Sequence, residues 1–249
     1  INQEGKEVIP FVYDALFAFE NGMAKAAKKE KYGYINSQGE EIIPFRFNLY
    51  IDFQEELSRI KSFDNCGFIN REGKYIIPPD YQEASSFEQE VALVKQKNKW
   101  GLIDKSGKII LEPQFDYIFP FSQDRARVSK GGKFGFIDRQ GKLKIPLIYE
   151  QAEDFGEGKA RVIKDKKTWY VDREGAQLFA VKCDHAETFS ENRAIIRVEN
   201  SYGFIDEKGK LVVPPKYELA RPYENGLARV LINEQWGYID KKGTEYWEN

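Results

Sequence analysis

The stretch Trp236-Gly237-Tyr238-Ile239-Asp240-Lys241-Lys242-Gly243 decides how this chain is read. Thirty-four residues earlier it returns as Tyr202-Gly203-Phe204-Ile205-Asp206-Glu207-Lys208-Gly209. Further steps of the same length reach Phe134-Gly135, Trp100-Gly101, Cys66-Gly67 and Tyr32-Gly33. One copy keeps the period but is altered, reading Thr168-Trp169-Tyr170-Val171-Asp172. Seven units follow one another without insertion or deletion, over 7–40, 41–74, 75–108, 109–142, 143–176, 177–210 and 211–244. Residues 1–6 read as the end of a preceding unit and 245–249 as the start of a further strand. The reading is therefore a single repeat domain, with no separate catalytic domain. Such periods belong to solenoids, propellers and arrays, where one unit cannot bury its own apolar face until a neighbour stacks on it.

Within a unit, each segment has its own punctuation. A short apolar run ends in proline, as in Val8-Ile9-Pro10, Ile42-Ile43-Pro44 and Val212-Val213-Pro214. Proline cannot donate to a ladder, so it marks the edge or end of a strand. About ten residues later comes a position that is aromatic in all seven units: Phe19, Phe53, Phe87, Phe121, Phe155, Phe189 and Tyr223. Such a column reads as a packing layer. A second strand, clearest in Leu227-Ala228-Arg229-Val230, alternates small and apolar positions on one face with a residue that is basic in Lys25, Arg59, Arg127, Arg161 and Arg229. The third strand holds the aromatic-glycine pair, and its glycine implies a close backbone approach or a bulge. Asp/Asn-x-x-Gly follows in every unit, from Asn36–Gly39 to Asp240–Gly243, and specifies a type I turn with glycine in the left-handed position of a bulged hairpin. No window sustains a helical period. The fold class is all-β: seven three-stranded antiparallel meanders. Counting eight Val-Ile-Pro-type strands against seven of each other kind favours an open, twisted, solenoid-like stack, with a seven-bladed propeller as the alternative.

The sequence carries 38 basic and 40 acidic residues, a net charge of −2, and shows no basic patch of the kind nucleic acid requires. It has no apolar run near the roughly 20 residues that span a bilayer. Cys66 and Cys183 each stand in an aromatic column and read as core thiols rather than a bridge. The only histidine, His185, lies two residues from Cys183, but zinc needs three or four ligands. Calcium would need more oxygens than the Asp/Asn-x-x-Gly column supplies. No cofactor, metal or catalytic residue is therefore expected, and the chain reads as no enzyme.

Two candidate binding surfaces remain. Arg127, Arg161 and Arg229 belong to the basic column, whose expected neighbours are Asp14, Asp116, Glu150, Asp184 and Glu218; the row is either a solvated ion-pair surface or a strip for an anionic partner. The other is the departure from the repeat, where Thr168-Trp169, Phe179-Ala180, Cys183 and His185 fall together. Trp169 has to displace a neighbour or point outward, and either drift or a recognition recess explains it.

The consensus carried by Gly226–Gly243 and by Val212, Tyr217 and Tyr223 resembles the WG-repeat proteins over the entire chain. That resemblance implies a mostly bacterial, often exported or envelope-associated protein with a binding or scaffolding role toward a protein or cell-surface polymer, and it transfers no catalytic residue. Carbohydrate binding or cleavage, or a spacer role in a longer repeat chain, are the alternatives. Ile1-Asn2-Gln3-Glu4-Gly5 matches Ile35–Gly39, so the chain is expected to be a processed or truncated piece.

Overall fold

The computed structural model describes residues 4–50 and 53–247, with only the backbone of Leu49 and Tyr50; Ile1–Gln3, Glu248 and Asn249 of the expected flanking segments lie outside it. Among the described residues there is no helix, hence none long and apolar enough to cross a membrane. All regular structure is antiparallel β, in seven four-stranded sheets spanning 15–47, 49–81, 83–115, 117–149, 151–181, 185–217 and 219–247. The chain forms two compact units, Ile1–Phe115 with the first three sheets and Asp116–Asn249 with the other four.

The three strands read from each unit are joined by a fourth. It precedes them and is as short as Gln151–Ala152 or as long as Tyr117–Ser122. The proline-bearing strand closes each sheet, so the 34-residue units begin on the last strand of the preceding sheet. Of the eight Val-Ile-Pro-type segments seven are strands, and Val8-Ile9-Pro10 belongs to none. The count of eight such strands, on which the preference for an open stack rested, becomes seven among the described residues.

The Asp/Asn-x-x-Gly turns form as their chemistry requires. Asn36 Oδ1 accepts the N–H groups of Gln38 at 3.0 Å and Glu40 at 2.9 Å, and Gly39 takes a φ of 81°. Asp240 does the same for Lys242 and Thr244. On the second strand, Ala24, Ser58, Ala92, Ala126, Ala160, Ala194 and Ala228 are all buried. The packing between sheets is aromatic. Phe68 meets Phe87 with ring centroids 4.8 Å apart, Phe136 meets Phe155 at 4.9 Å, and Phe204 meets Tyr223 at 5.0 Å. Tilted and edge-on pairs of this kind are the favoured geometry for buried rings.

The glycine of the aromatic-glycine pair has a specific cause. Phe136 faces Ile145, but Phe134, two residues earlier, faces Tyr149, four residues later. The closing strand thus carries a two-residue bulge around Pro146, where a missing N–H costs no ladder bond. The bulge drives the Ile145 carbonyl toward the third strand. A Cβ on Gly135 would sit 2.5 Å from that oxygen, and one on Gly101 would sit 2.4 Å from the Leu111 oxygen. Both features inferred from the sequence, close approach and bulge, are one feature.

Candidate functional site

The fifth sheet departs from this plan in three linked places. Its third strand, Lys167–Val171, carries Trp169 where others carry glycine. Its closing strand, Gln177–Val181, carries Ala180 where the first, second, fourth and sixth sheets carry proline, and Cys183 stands where Tyr149 and Tyr217 stand. Here the pairing runs one to one: Tyr170 faces Phe179, Trp169 faces Ala180, and Thr168 faces Val181. The two-residue bulge is gone. The indole of Trp169 is half-buried against the cluster of Phe136, Ile145, Tyr149 and Phe155. Of the two expected outcomes, an outward ring or a displaced neighbour, the structure has the second: the ring packs inward and the partner strand is straight.

Straightening leaves Lys182 and Cys183 beyond the ladder. A recess of about 420 Å³ opens there, lined by Lys166, Lys167, Thr168, Val181, Lys182 and Cys183. Thr168 is buried and lines the recess together with the half-buried Cys183. Burial pushes the Cys183 thiol up, against the opposing effects of the Thr168 hydrogen bond and the Arg161 charge. A thiol held protonated in this way is a poor nucleophile. His185 opens the two-residue strand His185–Ala186, faces Arg197, and is half-buried. Among the described residues no group of three or more His, Cys, Asp or Glu is placed to hold a metal ion.

The basic column lies elsewhere than expected. Arg127 donates to the Ala152 carbonyl on the next sheet, holds Asp154 at 3.1 Å, and stacks on Phe119 at 3.7 Å. Arg161, 6% exposed, donates to Glu153, whose carboxylate also accepts from Thr188 Oγ1 at 3.3 Å. Arg229 is exposed and stacks on Trp236 at 4.4 Å. The acidic column is engaged with main chain: Asp116 accepts from the Gly131 N–H at 2.7 Å, and Glu218 from the Asn233 N–H at 2.8 Å. These acids cap the hairpin between the second and third strands, and they are not the partners of the arginines.

Arg161 therefore belongs to a partly buried charged group near the recess that the sequence reading did not assemble. Burial raises the Glu187 carboxyl; Glu153 adds to the rise, while His185, Arg221 and Arg161 oppose it. The Tyr170 hydroxyl donates to the Glu187 carbonyl. Asp154 is also raised, chiefly by burial, with Arg127 opposing. The available signal was the acid at 153 and 187, equivalent positions in successive units. Of the six candidate residues, only Thr168 lines the recess; Trp169, on the opposite face of its strand, packs on the cluster of Phe136 and Phe155, Arg161 pairs with Glu153, His185 lies two residues beyond Cys183, and Arg127 and Arg229 serve other contacts.

The regular geometry repeats so closely that its sequence signature can be matched unit by unit. A family model described as WG containing repeat matches residues 1–32, 32–65, 67–100, 100–134, 134–167, 170–201 and 202–236. The chain belongs to the WG-containing repeat family. Trp169 lies between two of the matched WG segments, at the point where the bulge is lost. No curated protein sequence matches this WG-repeat chain. Among solved structures it is similar to Kluyveromyces lactis Hsv2p, at 8% identity and a TM-score of 0.43, covering 94% of this chain and 97% of that one. It is similar to apo AztD from Citrobacter koseri at 12% identity and 0.43, covering 93% and 85%. It also resembles the extracellular domain of a putative one component system from B. thetaiotaomicron, at 10% identity and 0.41, covering 95% and 41%.

Proposed function

We propose that this WG-repeat chain is a non-enzymatic scaffold that binds a protein or a cell-surface polymer, with the contact centred on the recess of the fifth sheet. The observation that carries the reading is the coupled loss of glycine, proline and bulge, which turns a packing position into a lysine-rimmed recess. The regular columns are spent on structure: the aromatics join sheets, and the Asp/Asn and acidic columns cap turns. Membership of a repeat family accords with a scaffold, since stacked units present a continuous surface.

The test is capture of partners from source-cell extract and on a glycan array, comparing wild type with a Lys166→Glu/Lys182→Glu variant. Loss of capture by a folded variant is the expected result, and equal capture refutes the site. Trp169→Ala that leaves both stability and capture unaltered removes Trp169 from the account. Release of reducing ends from a bound glycan would replace the scaffold reading with a carbohydrate-active one.

A further inference from the structure

The fifth sheet, wholly inside the 116–249 unit, ends on its closing strand Gln177–Val181, and among the described residues no strand pairs with the outer side of that strand. Such an edge presents unpaired N–H and C=O groups to any chain that meets it, and proteins blunt edges with proline, charge or a bulge. The other closing strands use these devices. Glu41–Phe47, Tyr75–Tyr81, Ile109–Phe115, Leu143–Tyr149 and Leu211–Tyr217 each hold proline and at least one charged residue. Glu245–Trp247 is only three residues long and opens on a glutamate. Gln177-Leu178-Phe179-Ala180-Val181 has neither proline nor charge. It has also lost the two-residue bulge, and keeps only one extra residue beside the turn, Leu178, where the fourth sheet has Lys144. Gln177, Leu178 and Ala180 are exposed, Leu178 at 44%.

Charge gathers at one end of this edge. Lys182 follows Val181, and Lys166 and Lys167 border the same recess. Lys166 stands where the other units carry Glu30, Asp64, Asn98, Gly132, Asn200 and Glu234. In the sixth sheet the equivalent of Lys182 is Lys216, which holds Glu245 at 2.5 Å. For Lys182 the residue equivalent to Glu245 is Leu211, which cannot answer it. Nearby acids are turned to main chain: Glu150 accepts from the Lys166 N–H at 3.4 Å, and Asp184 from the Glu199 N–H at 2.5 Å. Among the described residues no carboxylate forms an ion pair with Lys166, Lys167 or Lys182.

We infer that an extended segment of a partner protein adds as a further strand to Gln177–Val181 and sets its acidic residues on Lys166, Lys167 and Lys182. The inference rests on the recess as the contact site, and gives that site a partner and a mode of binding. The unblunted edge selects a polypeptide, whose main chain matches a row of alternating donors and acceptors residue for residue. The unanswered lysines select an acidic one. The same edge of a second copy offers no acid within Gln177–Val181.

Fluorescence anisotropy tests this with a short labelled peptide of alternating threonine and valine that carries glutamates at both ends. Wild type should bind it, and should bind it roughly tenfold more weakly or worse once its amides are N-methylated. A peptide ending in lysines should not bind. Lys166→Glu/Lys182→Glu should reverse the preference, losing the acidic peptide and gaining the lysine-ended one. Both side chains are exposed, so this variant is expected to keep the wild-type circular dichroism and melting temperature. If it fails to fold, Lys182→Gln takes its place, with weaker binding of the acidic peptide expected. Equal binding of the N-methylated peptide, or lysine-dependent binding of polygalacturonate without binding of the peptide, would overturn strand addition and leave the recess as the contact site. A folded variant that keeps the wild-type preference would overturn the inference, and its equal capture of source-cell partners would remove the recess as well. Wild-type dimers that the peptide dissociates would place a second copy on the edge and overturn the acidic partner.

Discussion

Replacing Gly135 with alanine separates the bulge account of the aromatic-glycine pair from a mere preference for a small residue. The added methyl would lie 2.5 Å from the Ile145 oxygen and 2.9 Å from both carbonyl atoms of Pro146. Those atoms are main chain, so no rotamer change relieves the clash, and the strands must part by about half an ångström or more. A bond-angle change of about 7° or a peptide twist of about 12° each costs about 1 kcal/mol, and more than one is needed. The expected loss is about 3 kcal/mol, the upper part of the range for overpacking. Urea titration followed by near-ultraviolet circular dichroism reads it from the transition of the 116–249 unit, provided the slope is unchanged. Gly158 is the control: its φ is 76° and nothing lies near its missing side chain, so alanine there should cost only about 1 kcal/mol. Adding Pro146→Ala to Gly135→Ala should recover part of the loss, because alanine can donate and let the closing strand straighten. A Gly135→Ala cost equal to that at Gly158, or strict additivity with Pro146→Ala within about 0.5 kcal/mol, refutes the bulge as the cause.

Other outcomes follow from the same contacts. Phe155→Ala, at a ring 3% exposed and packed on Phe136, should cost about 3–5 kcal/mol in the same titration. Asn70→Ala removes the acceptor for the Glu72 and Lys74 N–H groups and should cost about 1–2 kcal/mol, whereas Asn70→Asp, which restores the residue used in five other units, should be close to neutral. Because burial raises the Glu187 carboxyl, the native state holds its proton more tightly than the unfolded chain does. Its contribution to stability is therefore greatest below the ordinary carboxylate range and falls as pH rises through the raised value. Thermal melts of Glu187→Gln across that range should lack this part of the decline, and a slope identical to wild type would refute the assignment.

The features legible in the sequence were those a unit makes with its own side chains. Asp240 and Gly243 close a hairpin over four residues, and their letters specify it. The alternation of Ala126 and Val128 fixes a buried face without reference to any neighbour. The arginine and acid columns misled because they are not each other's partners, and part of what they meet has no letter. Arg127 ends on the Ala152 carbonyl and Asp116 on the Gly131 N–H, and every residue contributes such groups alike. Opposite charges recurring at a fixed spacing suggested ion pairs between the two columns; the acids instead cap hairpin main chain, and Arg127 and Arg161 pair with other acids, Asp154 and Glu153.

The broken repeat was visible as a cluster of odd residues, but its unity was not. Taken singly, Trp169, Ala180 and Cys183 are three substitutions, and drift explains each. In the structure they are consequences of one register. Where Trp169 faces Ala180 directly, the two-residue bulge that sets the Ile145 carbonyl over Gly135 is absent. Proline loses its place at the same step, since a straight strand can use the N–H that a bulge leaves idle. Position 183 then falls beyond the ladder instead of facing the third strand, as Tyr149 faces Phe134, so a large ring has nothing to fill. The space this vacates is the recess beside Lys182. A single packing decision thus accounts for three anomalies and for the recess, and reverting any one of them alone should destabilise the fifth sheet rather than restore the regular repeat.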